Sequence, residues 1–435
     1  MKSQKIALAV TLLIMAKAHA VTRISGSSEL SVAYIDALST NNACLSNKVS
    51  IFKRGTSSTT LGNHFTIKCD NGNFAGTTEN EIQFDVTGGS LNAILYSARG
   101  ASEYLASDGR FLSSTTSCGT AVTIAAGPLA FASGKIYNCS DEAALTSGKS
   151  VGGVMAVEPN VFLAQGVIAG DYSDSVSGAN FSQVFGVAAS KDLYEALQTD
   201  QGLTVGSTAP ANQPSISRAQ IVSMMNSNDF NDAKNKGPKF LVPSTNKTNI
   251  TYCRQPSRVD KQAVAELYFL QNPSASGVLG GLSQAHGPAD WSGSNQVVVN
   301  NGMGNTFTVK LVGSNLTDMN YCLNLSGFAF GVVSATYNPV GQGDSYRFVK
   351  LSGQGFSEGV AGGLQKAAAI NGRYDFVFEG VMFNPTGSPV VDLINSRLKF
   401  QVGAGYPGLF LNINSSAPES SFTRFGNSLG TYESF

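Results

Sequence analysis

The sequence predicts a β-rich α/β fold, and two patterns support that class. Short apolar runs of strand length alternate with segments whose apolar residues recur at helical spacing, as expected for α/β proteins. The strand candidates outnumber the helix candidates, and the segments between them are rich in Gly, Pro, Ser and Asn, which form turns. No short internal repeat is evident, so a solenoid or a propeller is not expected.

The strand candidates are short, apolar and bounded by turn residues. In chain order they are Ala93–Ser97, Val151–Val157, Val161–Ala164, Val184–Ala189, Val297–Asn300, Phe307–Leu311, Gly327–Ser334, Tyr374–Glu379 and Leu398–Val402.

The clearest helix begins after Val259, because the apolar residues Ala263, Val264, Leu267 and Leu270 recur there at helical spacing. In chain order the helix candidates are Ala101–Ala106, Lys191–Gln198, Ser217–Met225, Asp260–Leu270 and Val360–Ile370. Loop composition marks three segments, Gly202–Pro214, Gly277–Asn295 and Asn338–Ser345.

The first twenty residues have the pattern of a signal peptide. Lys2 and Lys5 precede the apolar run Ile6–Met15, and Ala18-His19-Ala20 supplies small residues for cleavage. A membrane anchor is the alternative, but ten helical residues span only about 15 Å, roughly half a bilayer core. We therefore expect residues 1–20 to be removed and the protein to be periplasmic or secreted, with no membrane span in the mature chain.

The charge balance limits the classes of partner. The chain has 29 Lys+Arg and 29 Asp+Glu, and removal of residues 1–20 takes three lysines and no acid, which leaves a net charge of about −3. Nucleic acids and anionic membranes select basic faces. Neither is therefore expected as a partner.

Six cysteines predict three disulfides, because even numbers of cysteines in exported chains usually pair. Several pairings are possible, and we favour sequence neighbours, that is Cys44–Cys69, Cys118–Cys139 and Cys253–Cys322. No CxxC occurs, and the histidines His19, His64 and His286 are scattered. A Cys/His metal site is therefore not expected, and no cofactor is predicted.

Catalytic motifs are missing. The sequence has no GxSxG, HExxH, P-loop or kinase signature, and neither His64 nor His286 lies in a recognisable catalytic setting. We therefore do not expect an enzyme.

Three segments have the composition of anion-binding loops. Ser25-Gly26-Ser27-Ser28 and Thr87-Gly88-Gly89-Ser90 offer backbone N–H groups and hydroxyls, and Arg254 and Arg258 precede the helix candidate at Asp260. Each has a plainer interpretation: a helix cap, a hairpin turn, and a solvated arginine pair beside a disulfide.

The order of segments resembles the phosphate-binding-protein-like branch of the type II periplasmic substrate-binding proteins. The resemblance covers most of the mature chain and rests on ISGSSEL (24–30), VTGGS (86–90), GGVMAVEPNVF (152–162), QVFGVAASKDLYEAL (183–197), SISRAQIVSMM (215–225), CRQPSRVDKQAVAELYFL (253–270), FAFGVVSATYN (328–338), YRFVKLSG (346–353) and NGRYDFVFEGVMF (371–383).

This resemblance implies two α/β lobes that close over a ligand, joined by two crossover strands near Val184–Ala189 and Phe328–Ser334. Lobe I would comprise residues 21–186 and 330–435, and lobe II residues 187–329. The implied role is that of a solute receptor, with phosphate or another small anion as ligand and an ABC transporter as partner.

The resemblance also implies the site residues. Ser27 and Ser28 match the family's first loop, Gly89 and Ser90 its second loop, and Arg254 its arginine. Two departures change the expected chemistry. Ala156 stands where relatives have an aspartate that accepts from protonated phosphate, and Arg258-Val259-Asp260-Lys261 stands in place of Ser-Gly-Thr.

An aspartate at position 260 would repel phosphate unless Arg258 offsets it. We therefore expect a degraded phosphate site, with two functions left open. One is an exported solute-binding protein with an altered ligand. The other is a non-enzymatic structural or interaction protein of the cell surface that keeps the fold without ligand.

Overall fold

The computed structural model describes most of the chain. The described residues are 20–40, 42–57, 60–97, 107–124, 129, 134–164, 166–225, 237–270, 296–300, 304–313, 316–355, 366–401, 408–423 and 433–434. The predicted signal peptide up to residue 19, the helix candidate Ala101–Ala106, the loop Gly277–Asn295 and residues 360–365 of the last helix candidate lie outside them.

Strands are numbered in chain order. They are β1 Ala20–Ser25, β2 Val49–Arg54, β3 His64–Cys69, β4 Glu79–Asp85, β5 Gly109–Leu112, β6 Ala121–Val122, β7 Gly134–Cys139, β8 Leu145–Gly148, β9 Gly153–Met155, β10 Val176–Ala189, β11 Ser215–Ile216, β12 Asn249–Arg254, β13 Gln296–Asn300, β14 Thr306–Leu311, β15 Phe328–Ser334, β16 Arg347–Phe348, β17 Lys350–Leu351, β18 Val377–Phe383, β19 Leu409–Leu411, β20 Phe422–Thr423 and β21 Glu433–Ser434.

The helices are α1 Ser31–Ser39, α2 Asn92–Leu95, α3 Pro159–Ala164, α4 Lys191–Asp200, α5 Arg218–Met225, α6 Pro238–Leu241, α7 Asp260–Leu270, α8 Leu316–Asn324, α9 Pro339–Gln342, α10 Ala367–Ile370 and α11 Pro389–Gln401. Short 3₁₀ turns lie at Ser28–Leu30, Ser173–Ser175 and Pro210–Asn212.

A six-stranded sheet forms the first half of the fold, in the order β1-β4-β3-β2-β7-β6. Its core combines residues from both ends of the chain. Helices α1 and α11 pack against each other, and both contribute side chains to this core. Tyr34 of α1 lies 4.8 Å from Phe84, and Phe84 stacks on Phe65 at 4.6 Å between ring centroids.

A larger, nine-stranded sheet has the order β13-β14-β12-β15-β10-β18-β9, with β16 and β19 also paired to β10. The 14-residue strand β10 runs antiparallel to β15, with Phe185 opposite Ser334 and Ala189 opposite Phe330. A second hydrophobic core surrounds this sheet and includes residues of α4, α5 and α7. The strand pair β10–β15 contains both segments that the resemblance assigns as crossovers.

The structure confirms the coarse fold prediction, a β-rich mixed α/β protein with several sheets, and it is compatible with a two-domain α/β fold. The helix prediction Asp260–Leu270 is confirmed with the same bounds. Helices α4 and α5 begin and end within two residues of their predicted positions.

Three strand predictions are wrong, because helices occupy most of the described residues in these segments. Ala93–Ser97 overlaps α2, Val161–Ala164 belongs to α3, and Leu398–Val402 overlaps the end of α11. Both α3 and α11 begin at a proline, whose fixed φ and missing N–H suit the first turn of a helix. Short apolar runs do not distinguish buried helix from strand, and the proline was the better signal.

Three disulfides join Cys44 to Cys69, Cys118 to Cys139 and Cys253 to Cys322. These are the pairs that sequence neighbourhood favours. They are compatible with an extracellular location. Within the described ranges, no helix combines the length and the apolar character needed to cross a bilayer.

Candidate ligand-binding site

A cleft of about 510 Å³ opens between the N-terminal segment and the start of α7, and we call it the α7 cleft. It is lined by Ser28, Glu29, Ser31, Val32, Thr60, Leu61, Gly62, Asn63, Val86, Thr87, Gly88, Gly89, Val259, Asp260, Lys261, Leu316 and Thr317. Two of the sequence-predicted site residues, Ser28 and Gly89, are therefore at its wall.

The loop after β1 is held by close backbone contact with β9. The Ser27 N–H donates to the Val154 carbonyl at 2.9 Å, and a Cβ atom on Gly26 would lie 2.2 Å from that same oxygen. Glycine is therefore required at position 26. Ser27 is fully buried behind the cleft wall, and its Oγ has no hydrogen-bond partner in the described part of the chain.

Ser90 lies where β4 turns into α2, through Gly88 and Gly89, whose φ angles are +76° and +84°. Its hydroxyl makes two hydrogen bonds within the protein, one as acceptor and one as donor. The Ala156 N–H donates to Ser90 Oγ at 2.9 Å, and Ser90 Oγ donates to Asp260 Oδ2 at 3.0 Å. The hydroxyl that the sequence predicts as an anion donor therefore binds a carboxylate of the same chain.

Asp260 is the first residue of α7 and is 2% exposed. Its Oδ1 accepts from the Lys261 N–H at 3.0 Å. A Cβ atom on Gly89 would lie 3.4 Å from each carboxylate oxygen, so the carboxylate packs directly on that glycine. Backbone N–H groups and a hydroxyl at a helix start are ordinary anion donors. In this structure the anion that these groups bind is the Asp260 carboxylate.

Glu29 and Lys261 form an ion pair across this cleft. Lys261 Nζ lies 2.5 Å from Glu29 Oε1, and Thr336 Oγ1 donates to Glu29 Oε2 at 2.5 Å. Burial raises the pKa of Glu29, but Lys261 and Thr336 outweigh it and hold that pKa below 4.5. Burial lowers the pKa of Lys261, but Glu29 and Asp260 raise it above 10.5. Both groups are therefore charged at neutral pH.

Arg254 is directed away from the α7 cleft, into the core beneath α7. Its Nη2 lies 2.6 Å from Glu266 Oε1 and donates to Ser257 Oγ at 2.9 Å, and both charged side chains are at most 5% exposed. Gln262 donates to the same Glu266 oxygen at 2.9 Å. The guanidinium is thus neutralised inside the fold.

Arg258 is half-buried beside Tyr96. Burial lowers the pKa of Arg258, and the interaction with Tyr96 opposes that change. Burial raises the pKa of Tyr96 to about 12. Neither Arg254 nor Arg258 lines the α7 cleft, so the structure does not bring the predicted arginines together with Ser28 and Gly89.

His64 lies next to the cleft residues Asn63 and Thr87. Its Nε2 is 3.6 Å from Asp85 Oδ1 and 3.3 Å from Thr87 Oγ1. Burial lowers the pKa of His64 below 6.5; Asp85 opposes the change, and nearby arginines add to it. Since one nitrogen contacts both neighbours, the geometry lacks the relay through two ring nitrogens that a catalytic triad uses.

The described residues contain no group of three or more His, Cys, Asp or Glu side chains suited to holding a metal ion. The cleft instead offers hydroxyls, backbone groups and one amide, while its charged groups are engaged with each other. Such a wall suits hydrogen bonding to a polar solute.

Sequence reasoning did not assign roles to Glu29, Lys261 or Thr336. All three lie in segments that carry the resemblance, Glu29 in 24–30, Lys261 in 253–270 and Thr336 in 328–338. Their pairing joins positions far apart in the chain and has no local signal.

No protein-family model matches this chain, and no curated protein matches it.

Proposed function

We propose that the protein is an exported, non-enzymatic solute-binding protein, built on the two-lobed plan of the type II periplasmic substrate-binding proteins. In this proposal lobe I comprises residues 21–186 and 330–435, and lobe II residues 187–329. The α7 cleft takes a small uncharged polar solute in place of phosphate. Delivery to an ABC transporter is the partner role that this class implies.

Two features of the fold support the two-lobed plan. The fold has two large hydrophobic cores, and one of them combines the first part of the chain with α11 near its end. The antiparallel strands β10 and β15 lie side by side, as two crossovers would. The lobe boundaries do not coincide with the two cores, because the larger core also contains side chains of α2, α3 and β18, which this proposal assigns to lobe I.

The position of the Asp260 carboxylate carries the ligand assignment. It accepts from Ser90 Oγ and packs on Gly89, at the start of α7. A free phosphate would have to replace it or lie next to it, and two anions in contact repel. Lys261, which lines this cleft, is paired with Glu29. An uncharged solute avoids this repulsion and can bond to the hydroxyls of the wall.

The test is a thermal-denaturation screen of residues 21–435 against phosphate, sulfate, sugars and neutral amino acids. We expect no shift with phosphate or sulfate, and a shift that grows with concentration for at least one uncharged solute. A ligand at 100 times its Kd adds about 2.7 kcal/mol to the stability of the folded protein. Stabilisation of the wild type by phosphate would contradict the proposal.

The variant Asp260→Ser sharpens the screen, because it removes the internal anion and frees the Ser90 hydroxyl. We expect phosphate or sulfate to stabilise this variant but not the wild type. The matched control is Asp192→Ser, since Asp192 is also a first-turn aspartate that accepts one backbone hydrogen bond. It should show no gain of anion binding.

A second function is favoured by a different observation. The contacts Glu29–Lys261, Glu29–Thr336 and Ser90–Asp260 tie the walls of the α7 cleft together without any ligand. A structural or interaction protein of the cell surface would need only this closed form. A screen in which no solute shifts the wild type, while Asp260→Ser still gains anion binding, would favour this second function.

A further inference from the structure

A second cleft, on the outer face of the six-stranded sheet, has the opposite electrostatic character. It has a volume of about 740 Å³ and is lined by Lys48, Lys68, Lys135, Asp70, Asn47 and Asn71, among others. We call it the lysine cleft. It lies on a different part of the fold from the α7 cleft, and the two share no lining residue.

The sheet register explains why the three lysines meet. Ser50 of β2 is opposite Lys68 of β3 on one side and Lys135 of β7 on the other, so all three side chains project from one face. Lys48 and Asp70 lie just before β2 and just after β3, respectively, and both line the same cleft.

The lining of this cleft has more lysines than acids. Among the described residues Asp70 is the one acid that lines it, and Asp70 Oδ2 accepts from Ser50 Oγ at 2.7 Å. Glu81 lies opposite Lys68 in the strand register but does not line the cleft, and it bonds to Gln83 and Ser114. None of the three lysine Nζ atoms has a carboxylate of the described residues within 4.0 Å. By formal count the wall carries +2, and a concave wall concentrates that field.

Some lysines elsewhere in the described residues are paired with carboxylates. Lys149 lies 3.2 Å from Asp108, Lys191 lies 3.9 Å from Glu195, and Lys261 is paired with Glu29. Other lysines, such as Lys239 and Lys247, have no carboxylate of the described residues within 4.0 Å, so what distinguishes the lysine cleft is that three such lysines line one hollow.

The cleft is also fixed in shape. The disulfide Cys44–Cys69 ties the loop before β2 to the end of β3, between Lys68 and Asp70. The Asp70 N–H donates to the Lys48 carbonyl at 2.8 Å, which holds the two loop ends together. The wall is thus preorganised, which lowers the cost of ordering it around a ligand.

We propose that the lysine cleft binds a small polyanion with two or three phosphate or carboxylate groups. Neighbouring strands are about 4.8 Å apart, so the Cα atoms of Lys68 and Lys135 are roughly 10 Å apart and can hold separate anionic groups. Lysine acts as a point charge towards phosphate. The Asn47 and Asn71 amides at the same wall can donate to further oxygens.

The test is calorimetric titration of residues 21–435 with tripolyphosphate and with citrate, at low salt, with orthophosphate at equal ionic strength as the reference. We expect one site for a polyanion, no binding of orthophosphate over the same concentration range, and an affinity that falls as salt rises. Lys68→Gln and Lys135→Gln should each weaken binding about fivefold, as for one exposed ion pair, and together about 25-fold.

The matched control is Lys239→Gln, because Lys239 is an exposed lysine outside both clefts. It should leave the affinity unchanged. No binding of either polyanion would overturn the proposal, as would equal losses in Lys239→Gln and Lys68→Gln. The two polyanions show which anionic group is preferred.

Discussion

The α7 cleft and the lysine cleft differ in how their charges are matched. At the α7 cleft Asp260, Lys261 and Glu29 are buried or nearly so, and each is engaged with a partner from the same chain. At the lysine cleft three ammonium groups face a hollow with one acid among them, and that acid is held by Ser50. A cleft that has internal counter-ions selects against charged ligands, whereas one without them attracts such ligands.

The largest expected effect comes from the deepest charge pair beneath the α7 cleft. Glu266→Ala leaves the Arg254 guanidinium buried and uncompensated, which should cost about 3–5 kcal/mol of unfolding free energy. Urea denaturation measures this loss. The control Glu195→Ala removes a carboxylate from an exposed pair and should cost at most about 0.5 kcal/mol.

A loss in Glu266→Ala no larger than in Glu195→Ala would mean that Arg254 is solvated, and hence available to an anion. The double variant Arg254→Met with Glu266→Leu should recover much of the stability, because apolar residues of similar volume replace a buried ion pair well.

The next effect concerns the pair at the wall of the α7 cleft. Lys261→Met should destabilise the fold by about 2–3 kcal/mol, less than Glu266→Ala, because Glu29 keeps its bond from Thr336 and is more exposed. Denaturant midpoints of Lys261→Met and of the exposed control Lys191→Met give the comparison. A double-mutant cycle with Glu29→Gln isolates the pair. An additive cycle would show that the cleft walls are not tied by this contact.

The smallest expected effect is the pH dependence of the stability that the Glu29–Lys261 ion pair provides. The folded pKa of Glu29 is below 4.5, so the unfolded chain binds this proton first as the pH falls. The stability from Glu29 is therefore present above pH 4.5 and is lost as the pH falls through the lowered folded pKa. The melting temperatures of wild type and Glu29→Gln, measured from pH 7 to pH 3, should converge at the acidic end. A constant difference would contradict the shift.

The raised pKa of Lys261 gives stability the opposite pH dependence. Its stabilisation is fully present below pH 10.5 and is lost as the pH rises through the higher folded pKa. Around neutral pH the Glu29–Lys261 pair should therefore contribute a constant amount to the stability of the fold. That contribution should change only at acidic and at strongly alkaline pH.

The sequence was informative where a pattern is local. The apolar spacing after Val259 predicted α7 with its observed bounds, and neighbouring cysteines predicted the three disulfides. It failed where short apolar runs follow a turn, as at Ala93–Ser97. There the prediction was a strand, but Gly88, Gly89 and Ser90 lead into a helix. Length and propensity do not distinguish a helix from a strand when the element is only four residues long, as α2 is.

The candidate site could be predicted only in part. Small-residue loops marked Ser28 and Gly89, which do line the α7 cleft. The partners of Ser90, Arg254 and Lys261 depend on tertiary contacts, because the Ser90 hydroxyl meets a residue 170 positions away. The lysine cleft arises from strand pairing between β3, β2 and β7, and no spacing along the chain reveals that pairing.

The Asp260 carboxylate has a consequence for the handling of this protein. Because this carboxylate is covalently part of the chain, its effective concentration at the site does not fall when the protein is diluted or dialysed. Purification can remove a free anion but not this one. The donors around Ser90 should accordingly stay occupied in every preparation, whatever the phosphate content of the buffer.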